Sequence, residues 1–270
     1  MIWNCKNKKI KYGEKVLIMG IVNVTPDSFS DGGSWFGAES AVAHALDLVE
    51  QGADIIDFGA QSTRPGYEEI SPEEEWARLE PVLKEIKGKI NVPVSVDTYF
   101  PYVAENALNC GADIINDVSG IITEKMAEIV KNSRCGWILM HNGEGGSAEV
   151  KKFFKYAVSE CRKYGIDKSQ LCLDMGIGFG KDYEQNLDLI ANIPAYKLDG
   201  YPLLLGTSRK RVIGQSSGQT IAGERVYGNI AADTAAILGG ADIIRLHDVK
   251  NEKQGILTAQ ELKRAGAYSG

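Results

Sequence analysis

Short apolar runs recur along the whole chain, at 16–24, 53–60, 92–98, 112–119, 136–141, 171–176, 202–207 and 241–247. Each is rich in Val, Ile and Leu and has the length of a strand buried on both faces. Helix-like patterns fill the gaps. Ala41, Ala45, Leu48 and Val49 mark one apolar face. Ser71-Pro72-Glu73-Glu74-Glu75 reads as a helix start, with a capping serine, a proline at the first position and acids in the first turn. The units repeat every roughly 30 residues, which is the alternation of β and α. Such alternation can open as a doubly wound sheet or close as a (β/α)₈ barrel. Strands without a long linker suit the barrel better, and 270 residues lie near the ~250 typical of one. The chain reads as one domain over 1–270, a (β/α)₈ TIM barrel whose residues 1–15 form a short N-terminal β-hairpin over the barrel floor.

An internal repeat supports this. Gly52-Ala53-Asp54-Ile55-Ile56-Asp57, Gly111-Ala112-Asp113-Ile114-Ile115-Asn116 and Gly240-Ala241-Asp242-Ile243-Ile244-Arg245 share one form. Each is a helix-ending glycine leading into a strand, and each ends in a different polar group. A shared scaffold with different tips is what a barrel enzyme requires.

Composition narrows the function classes. The net charge of -6 excludes wholesale nucleic-acid binding, so an anionic ligand must be held by a local basic cluster. No apolar run approaches the ~18 residues of a membrane span. The opening Met1-Ile2-Trp3-Asn4-Cys5-Lys6 lacks the apolar core of a signal peptide. Five widely spaced cysteines with no C-x-x-C pair argue against a disulfide framework or a thiolate zinc site. His44 lies far in sequence from His141 and His247, which also disfavours zinc. These features suit a cytoplasmic protein with reduced thiols.

The strand ends carry Asn23, Asp57, Asp97, Asn116, His141, Asp174, Ser208-Arg209-Lys210, Arg245 and His247. In a barrel these C-terminal tips converge on one mouth, where active sites form. A single polar tip could be a cap; so many charged or amide tips point to a common site. Residues 23–33 are polar, with Pro26 near one end and Gly32-Gly33 at the other, as suits a mobile loop over a site. Phe29 in it reads equally as a packing anchor or a lid aromatic. Arg64, between Thr63 and Pro65, offers a bidentate fork for phosphate or is simply solvated. Residues 173–181 place three glycines after a strand but lack the dinucleotide fingerprint. Asp174 there could accept from adjacent N–H donors of a guanidine-like heterocycle edge, or cap a helix. Arg209, Lys210 and Arg211 gather where a helix begins, which opposes its dipole unless an anion or polar ligand binds. Arg245 and His247 alternate along the last strand and share a face. With Arg64 they make a plausible pyrophosphate cradle.

The ordered set of motifs resembles the dihydropteroate synthases. Residues 23–33 resemble the first mobile loop of that family, and Ser62-Thr63-Arg64-Pro65-Gly66 the second. Val96-Asp97-Thr98, Ile115-Asn116-Asp117-Val118, Leu139-Met140-His141, residues 176–181, Gly206-Thr207-Ser208-Arg209-Lys210 and Arg245-Leu246-His247-Asp248-Val249 follow in family order. The resemblance runs from about residue 16 to 250 and implies a folate-pathway transferase. Such an enzyme condenses 6-hydroxymethyl-7,8-dihydropterin pyrophosphate with para-aminobenzoate, by dissociative substitution, to give 7,8-dihydropteroate and pyrophosphate. It implies that Asp97, Asn116, Asp174 and Lys210 hold the pterin, with Met140 and Arg245 against its faces and Val118 and Gly206 also in contact. It implies Mg²⁺ placed by Asn23, and pyrophosphate held by Arg64, Arg245 and His247. Phe29, Pro65, Phe179 and Ser208 would line the para-aminobenzoate pocket, and Thr63 and Asp31 would order the closed loops. Asp97, Lys210, Arg64 and Asp31 would be catalytic. Sulfonamide binding and a homodimer are further implications. The chain departs from the family pattern at Gln61 (an acid is usual), Met175 (proline) and Asn142 (methionine). A corrinoid-dependent pterin methyltransferase and a non-catalytic pterin binder are the rival readings. The first needs neither the pyrophosphate cations nor the long first loop.

Overall fold

The computed structural model describes residues 1–24, 33–61 and 69–266. Eight parallel strands close into a barrel: β3 (Leu17–Asn23), β4 (Ile55–Gly59), β5 (Val94–Asp97), β6 (Ile114–Asp117), β7 (Gly136–Met140), β8 (Leu171–Asp174), β9 (Leu203–Leu205) and β10 (Ile243–Leu246), with β10 pairing back to β3. Each falls inside one of the eight apolar runs, so the expected (β/α)₈ barrel is the observed fold. The α-helices of the described residues are α1 (Gly33–Gln51), α2 (Pro72–Ile86), α3 (Pro101–Cys110), α4 (Glu124–Ser133), α5 (Ser147–Lys163), α6 (Tyr183–Ala191), α7 (Ile193–Tyr196), α8 (Arg211–Ser217), α9 (Val226–Gly239) and α10 (Val249–Arg264). The expected start of α2 is there: Ser71 Oγ accepts from Glu74 N–H at 3.1 Å, with Pro72 just inside the helix.

Alternation sorts the strand residues onto two faces. Outward residues such as Ile18, Phe58, Val96, Ile115, Trp137, Leu173 and Ile244 pack with the helices in one large core. Inward residues form a second, smaller cluster of Leu17, Met19, Ile55, Ile114, Ile138, Cys172, Leu204 and Ile243. This cluster occupies only the N-terminal end of the barrel. One inward step further along, beyond Ile55, Ser95, Ile114, Ile138, Cys172 and Ile243, the strands carry Asp57, Asp97, Asn116, Met140, Asp174 and Arg245. The barrel interior is therefore apolar at its floor and polar at its mouth.

The antiparallel hairpin β1 (Ile2–Cys5) and β2 (Lys8–Lys11) closes the floor. Trp3 and Cys5, both fully buried, join the inner cluster, together with Ile10 and Tyr12. Trp3 Nε1 donates to the Gln170 carbonyl at 2.8 Å, so the burial of the indole leaves no orphan donor. The hairpin expected over the floor is thus a plug for it.

The repeated Gly-Ala-Asp acts on the same end. Gly52, Gly111 and Gly240 have φ of 109°, 125° and 115°, the left-handed helix stop expected of them. The aspartates then cross to a neighbouring strand. Asp54 Oδ2 accepts from Ile18 N, Asp113 Oδ2 from Val94 N and Asp242 Oδ2 from Leu203 N, each at 3.0 Å. Each also has a lysine: Lys15 on Asp54 at 2.5 Å, Lys8 on Asp113 at 3.1 Å and Lys197 on Asp242 at 2.9 Å.

Candidate active site at the barrel mouth

The inner polar layer is organised around one arginine. Arg245, on β10, donates from Nε to Asp57 Oδ2 at 2.7 Å and from Nη2 to Asp97 Oδ2 at 2.8 Å. Asn116 Nδ2 donates to the same Asp57 oxygen at 3.1 Å. Asp57 is fully buried, so without Arg245 it would be a bare charge inside the barrel. Asp57 Oδ1 and Asn116 Oδ1 remain buried and without a hydrogen-bond partner. Two unfilled acceptors beside a charged network are uncommon in a finished interior and mark a place for donors from a ligand.

Burial pushes the Asp97 carboxyl up to about 7; Arg245 opposes this, while Asp57, Glu75 and Asp117 reinforce it. Across the mouth, burial also raises Asp174, against the pull of Lys210 and of the Gly176 N–H that Asp174 Oδ1 accepts at 2.8 Å. Asp174 thus caps a turn rather than the helix that one reading of the sequence gave it, and spends one oxygen doing so. Lys210 is lowered to about 8, chiefly by burial, with Asp174 favouring its charge. Its Nζ donates to the Ile177 carbonyl at 2.5 Å and lies 4.9 Å from the centre of the Phe179 ring. Groups poised this close to neutral pH in one cleft are typical of a site that handles protons or polar ligands.

The other expected residues fall around this layer. Asn23 ends β3 and is exposed. Met140 is buried beside Asp174 in register, and Val118 is buried at the end of β6. Gly206 lies beneath Arg245 and Lys210: a Cβ there would sit 3.7 Å from Arg245 Cβ and 3.9 Å from Lys210 Nζ. Ser208 Oγ sits 3.0 Å from His247 Nδ1 and accepts from His247 N–H at 3.2 Å, tying the β9 turn to β10. Phe29, Asp31, Thr63, Arg64 and Pro65 lie outside the described residues.

Two expectations need correction. His141 does not point into the mouth. It follows inward Met140 and so faces out, its ring edge-on to Phe153 of α5 at 5.4 Å; burial holds it down at about 4. The three cations at 209–211 do not act together either. Arg209 and Arg211 are exposed, and only Lys210 is drawn in. Arg245 is also more committed than a free pyrophosphate ligand would be, since two of its nitrogens are held by acids.

Three residues escaped the sequence reading. Asp57 was seen as a tip, but its role as the seat of Arg245 was not. Lys181 was missed: its Nζ donates to the carbonyls of His141, Gly176 and Phe179 at 3.1, 2.9 and 3.0 Å, binding the β7 and β8 tips together. Gly176 makes that approach possible, since a Cβ would stand 2.0 Å from the His141 oxygen. Asn186 accepts from Gly178 N–H at 2.6 Å and holds the loop's other side. A lysine closing a run of glycines was the available signal.

The departures from the family pattern have local explanations. Met175 is fully buried and receives the Tyr196 hydroxyl on its sulfur at 3.0 Å, away from the mouth. Asn142 Nδ2 donates to the Val118 carbonyl at 2.9 Å and braces the β6 tip. Gln61 donates to Tyr99 Oη at 2.8 Å and accepts from Ile70 N–H at 3.3 Å.

Residues 19–247 match the family described as pterin binding enzyme. A dihydropteroate synthase of Clostridium beijerinckii is 42% identical over 250 residues, covering 90% of this chain and 93% of that one. A solved Xanthomonas albilineans dihydropteroate synthase with 4-aminobenzoic acid superposes with a TM-score of 0.90 at 38% identity, covering 97% of this chain and 98% of that one. The same enzyme in complex with 7,8-dihydropteroate gives a TM-score of 0.89 at 36% identity, covering 97% and 99%.

Proposed function

The chain belongs to the pterin-binding enzymes and is a dihydropteroate synthase, and we propose that the mouth layer divides the reaction as follows. Asp97 and Asp174 accept from the N–H groups of the pterin, and Asn116 Oδ1 supplies a further acceptor. Lys210 donates to a ring acceptor in place of the Ile177 carbonyl. Met140 packs on one face of the ring, and Arg245, fixed by Asp57, on the other. The observation that carries this reading is the pair of unfilled acceptors on Asp57 and Asn116 beside the Arg245–Asp97 ion pair.

The bond between the pterin methylene carbon and the pyrophosphate oxygen breaks first, and its electron pair leaves with pyrophosphate. Arg64, His247 and the remaining Nη1 of Arg245 hold the anion as its charge grows. The electron-rich pterin, between two carboxyls, stabilises the cationic carbon. The arylamine of para-aminobenzoate, in a pocket of Phe29, Pro65, Phe179 and Ser208, then forms the new C–N bond and loses a proton. No protein nucleophile is required. Val118 and Gly206 shape the ring pocket, while Thr63 and Asp31 order the loops that exclude water.

Among the described residues no cluster of His, Cys, Asp or Glu could cage a metal. Mg²⁺ keeps several waters and is carried largely by substrate phosphates, so the exposed amide oxygen of Asn23 would fit it as one added ligand. When bound, Mg²⁺ would neutralise charge on the departing pyrophosphate. We also assign the chain to the cytoplasm and to a homodimer. No helix among the described residues is long and apolar enough to cross a membrane. Sedimentation at twice the chain mass is the expected result for the dimer, and a monomer would refute it.

The test is pyrophosphate release from dihydropterin pyrophosphate with Mg²⁺, with and without para-aminobenzoate. Stoichiometric dihydropteroate is expected. Pterin binding without release would leave a non-catalytic binder, and methyl transfer from methyltetrahydrofolate would make it a methyltransferase.

A further inference from the structure

Behind the turn between β9 and α8 lies a polar group that the reaction does not use. Thr207, 1% exposed, donates from its hydroxyl to Asp233 Oδ1 of α9 at 2.9 Å. Glu252 of α10 faces Asp233, with the Asn229 amide beside it; all three are 1% exposed. Neither acid has a lysine or arginine partner among the described residues. Lys253, the next residue, donates instead to the Gln51 carbonyl of α1 at 2.9 Å. Asp248, at the start of α10, adds only further negative charge and spends its carboxylate on Asn251.

Asp233 Oδ2 and Asn229 Oδ1 are buried without a hydrogen-bond partner, and the Asn229 amide is the one neutral donor that eases the Glu252 carboxyl, whose oxygens otherwise make no hydrogen bond. Two bare carboxylates cannot share such a pocket, and one proton between them both removes the repulsion and makes the missing hydrogen bond. The turn they back also needs outside support. Its Lys210 N–H closes on the Thr207 carbonyl at 3.0 Å, and Arg209 at its apex has φ of 62°, a strained value for a residue with a side chain. Arg225 braces the far side, donating to the Arg209 carbonyl at 2.8 Å.

We propose that Asp233 and Glu252 hold one proton between them and act as positioning residues for the reaction, fixing Thr207 and through it the turn that carries Ser208 and Lys210 into the mouth. Loss of that proton sets two negative charges against each other between α9 and α10. Asp233 then moves off Thr207, and Lys210 loses its placement.

The experiment compares the full chain with Glu252→Gln and Glu252→Ala, reading melting temperature, kcat and KM from about pH 6 to about pH 10. Glutamine keeps a neutral donor that cannot ionise. E252Q is expected within about twofold of wild-type kcat/KM at neutral pH, with its alkaline limb moved upward. E252A, measured where it is folded, is expected to lose about tenfold in kcat/KM. An E252Q limb superimposing on wild type would assign that limb to Lys210 alone and overturn the proposal. So would folded E252A with full kcat/KM. Should E252A not fold, the E252Q profile decides by itself.

Discussion

The two ends of the barrel hold the same kind of residue under opposite terms. At the floor, Asp54, Asp113 and Asp242 each accept a backbone N–H and each face a lysine. At the mouth, Asp57 and Asp97 share a single arginine, and Asp57 Oδ1 and Asn116 Oδ1 accept nothing. The floor is closed by a hairpin and an apolar layer. The mouth is lined with groups that burial has pushed toward neutral pH. An acid whose partners are all protein atoms serves the fold. A mouth acid left short of partners is held ready for a ligand, and the fold carries the cost.

Breaking the mouth should have the largest effect. Asp174→Asn or Lys210→Ala should lower kcat/KM by about 10²–10³-fold, because each removes a placed charge from a water-poor site; steady-state kinetics on dihydropterin pyrophosphate will measure it. Arg245→Ala should cost about 3–5 kcal/mol of stability as well as activity, since it strands the fully buried Asp57. Urea unfolding checks this. Asp113→Ala, at the floor, should cost about 1–3 kcal/mol by orphaning the Val94 N–H, and should leave kcat/KM per folded molecule unchanged.

A pH series sharpens the same contrast. The folded carboxyl of Asp97 stands near 7, above the ordinary 3.8. The native state therefore binds the extra proton between these values. The contribution of Asp97 to stability is full below the unfolded pKa and is lost as pH rises through 7. Asp97→Asn should flatten that part of the stability curve, as thermal melts across the range would reveal. The smallest effect belongs to Lys8→Ala: its side chain is 34% exposed, so the ion pair with Asp113 is screened and worth about 1 kcal/mol or less.

Much of this was legible in the sequence because its signals are local. The eight strands follow from short apolar runs, the helix stops at Gly52, Gly111 and Gly240 from the repeated glycine, and period-two alternation then puts Asp97, Asn116, Asp174 and Arg245 at the strand ends on the inner face. The same rule would have turned His141 outward, since Met140 before it faces in. What was not legible depends on partners brought together only by closure. Asp57 and Arg245 are 188 residues apart, and Asp54 caps Ile18 from the next strand. Lys181 was marked only by closing a run of glycines, because the carbonyls it binds carry no side-chain signature. The Asp233–Glu252 pair joins two helices whose apolar faces gave no hint of acids between them.

The central claim is that mouth acids serve chemistry and floor acids serve the fold. The most direct measurement is a paired one, kcat/KM and melting temperature for Asp97→Asn and Asp113→Asn side by side. The account predicts that D97N loses most of its activity with little loss of melting temperature, while D113N melts earlier and keeps its activity per folded molecule. An active D97N, or a D113N as stable as wild type but inactive, would contradict it.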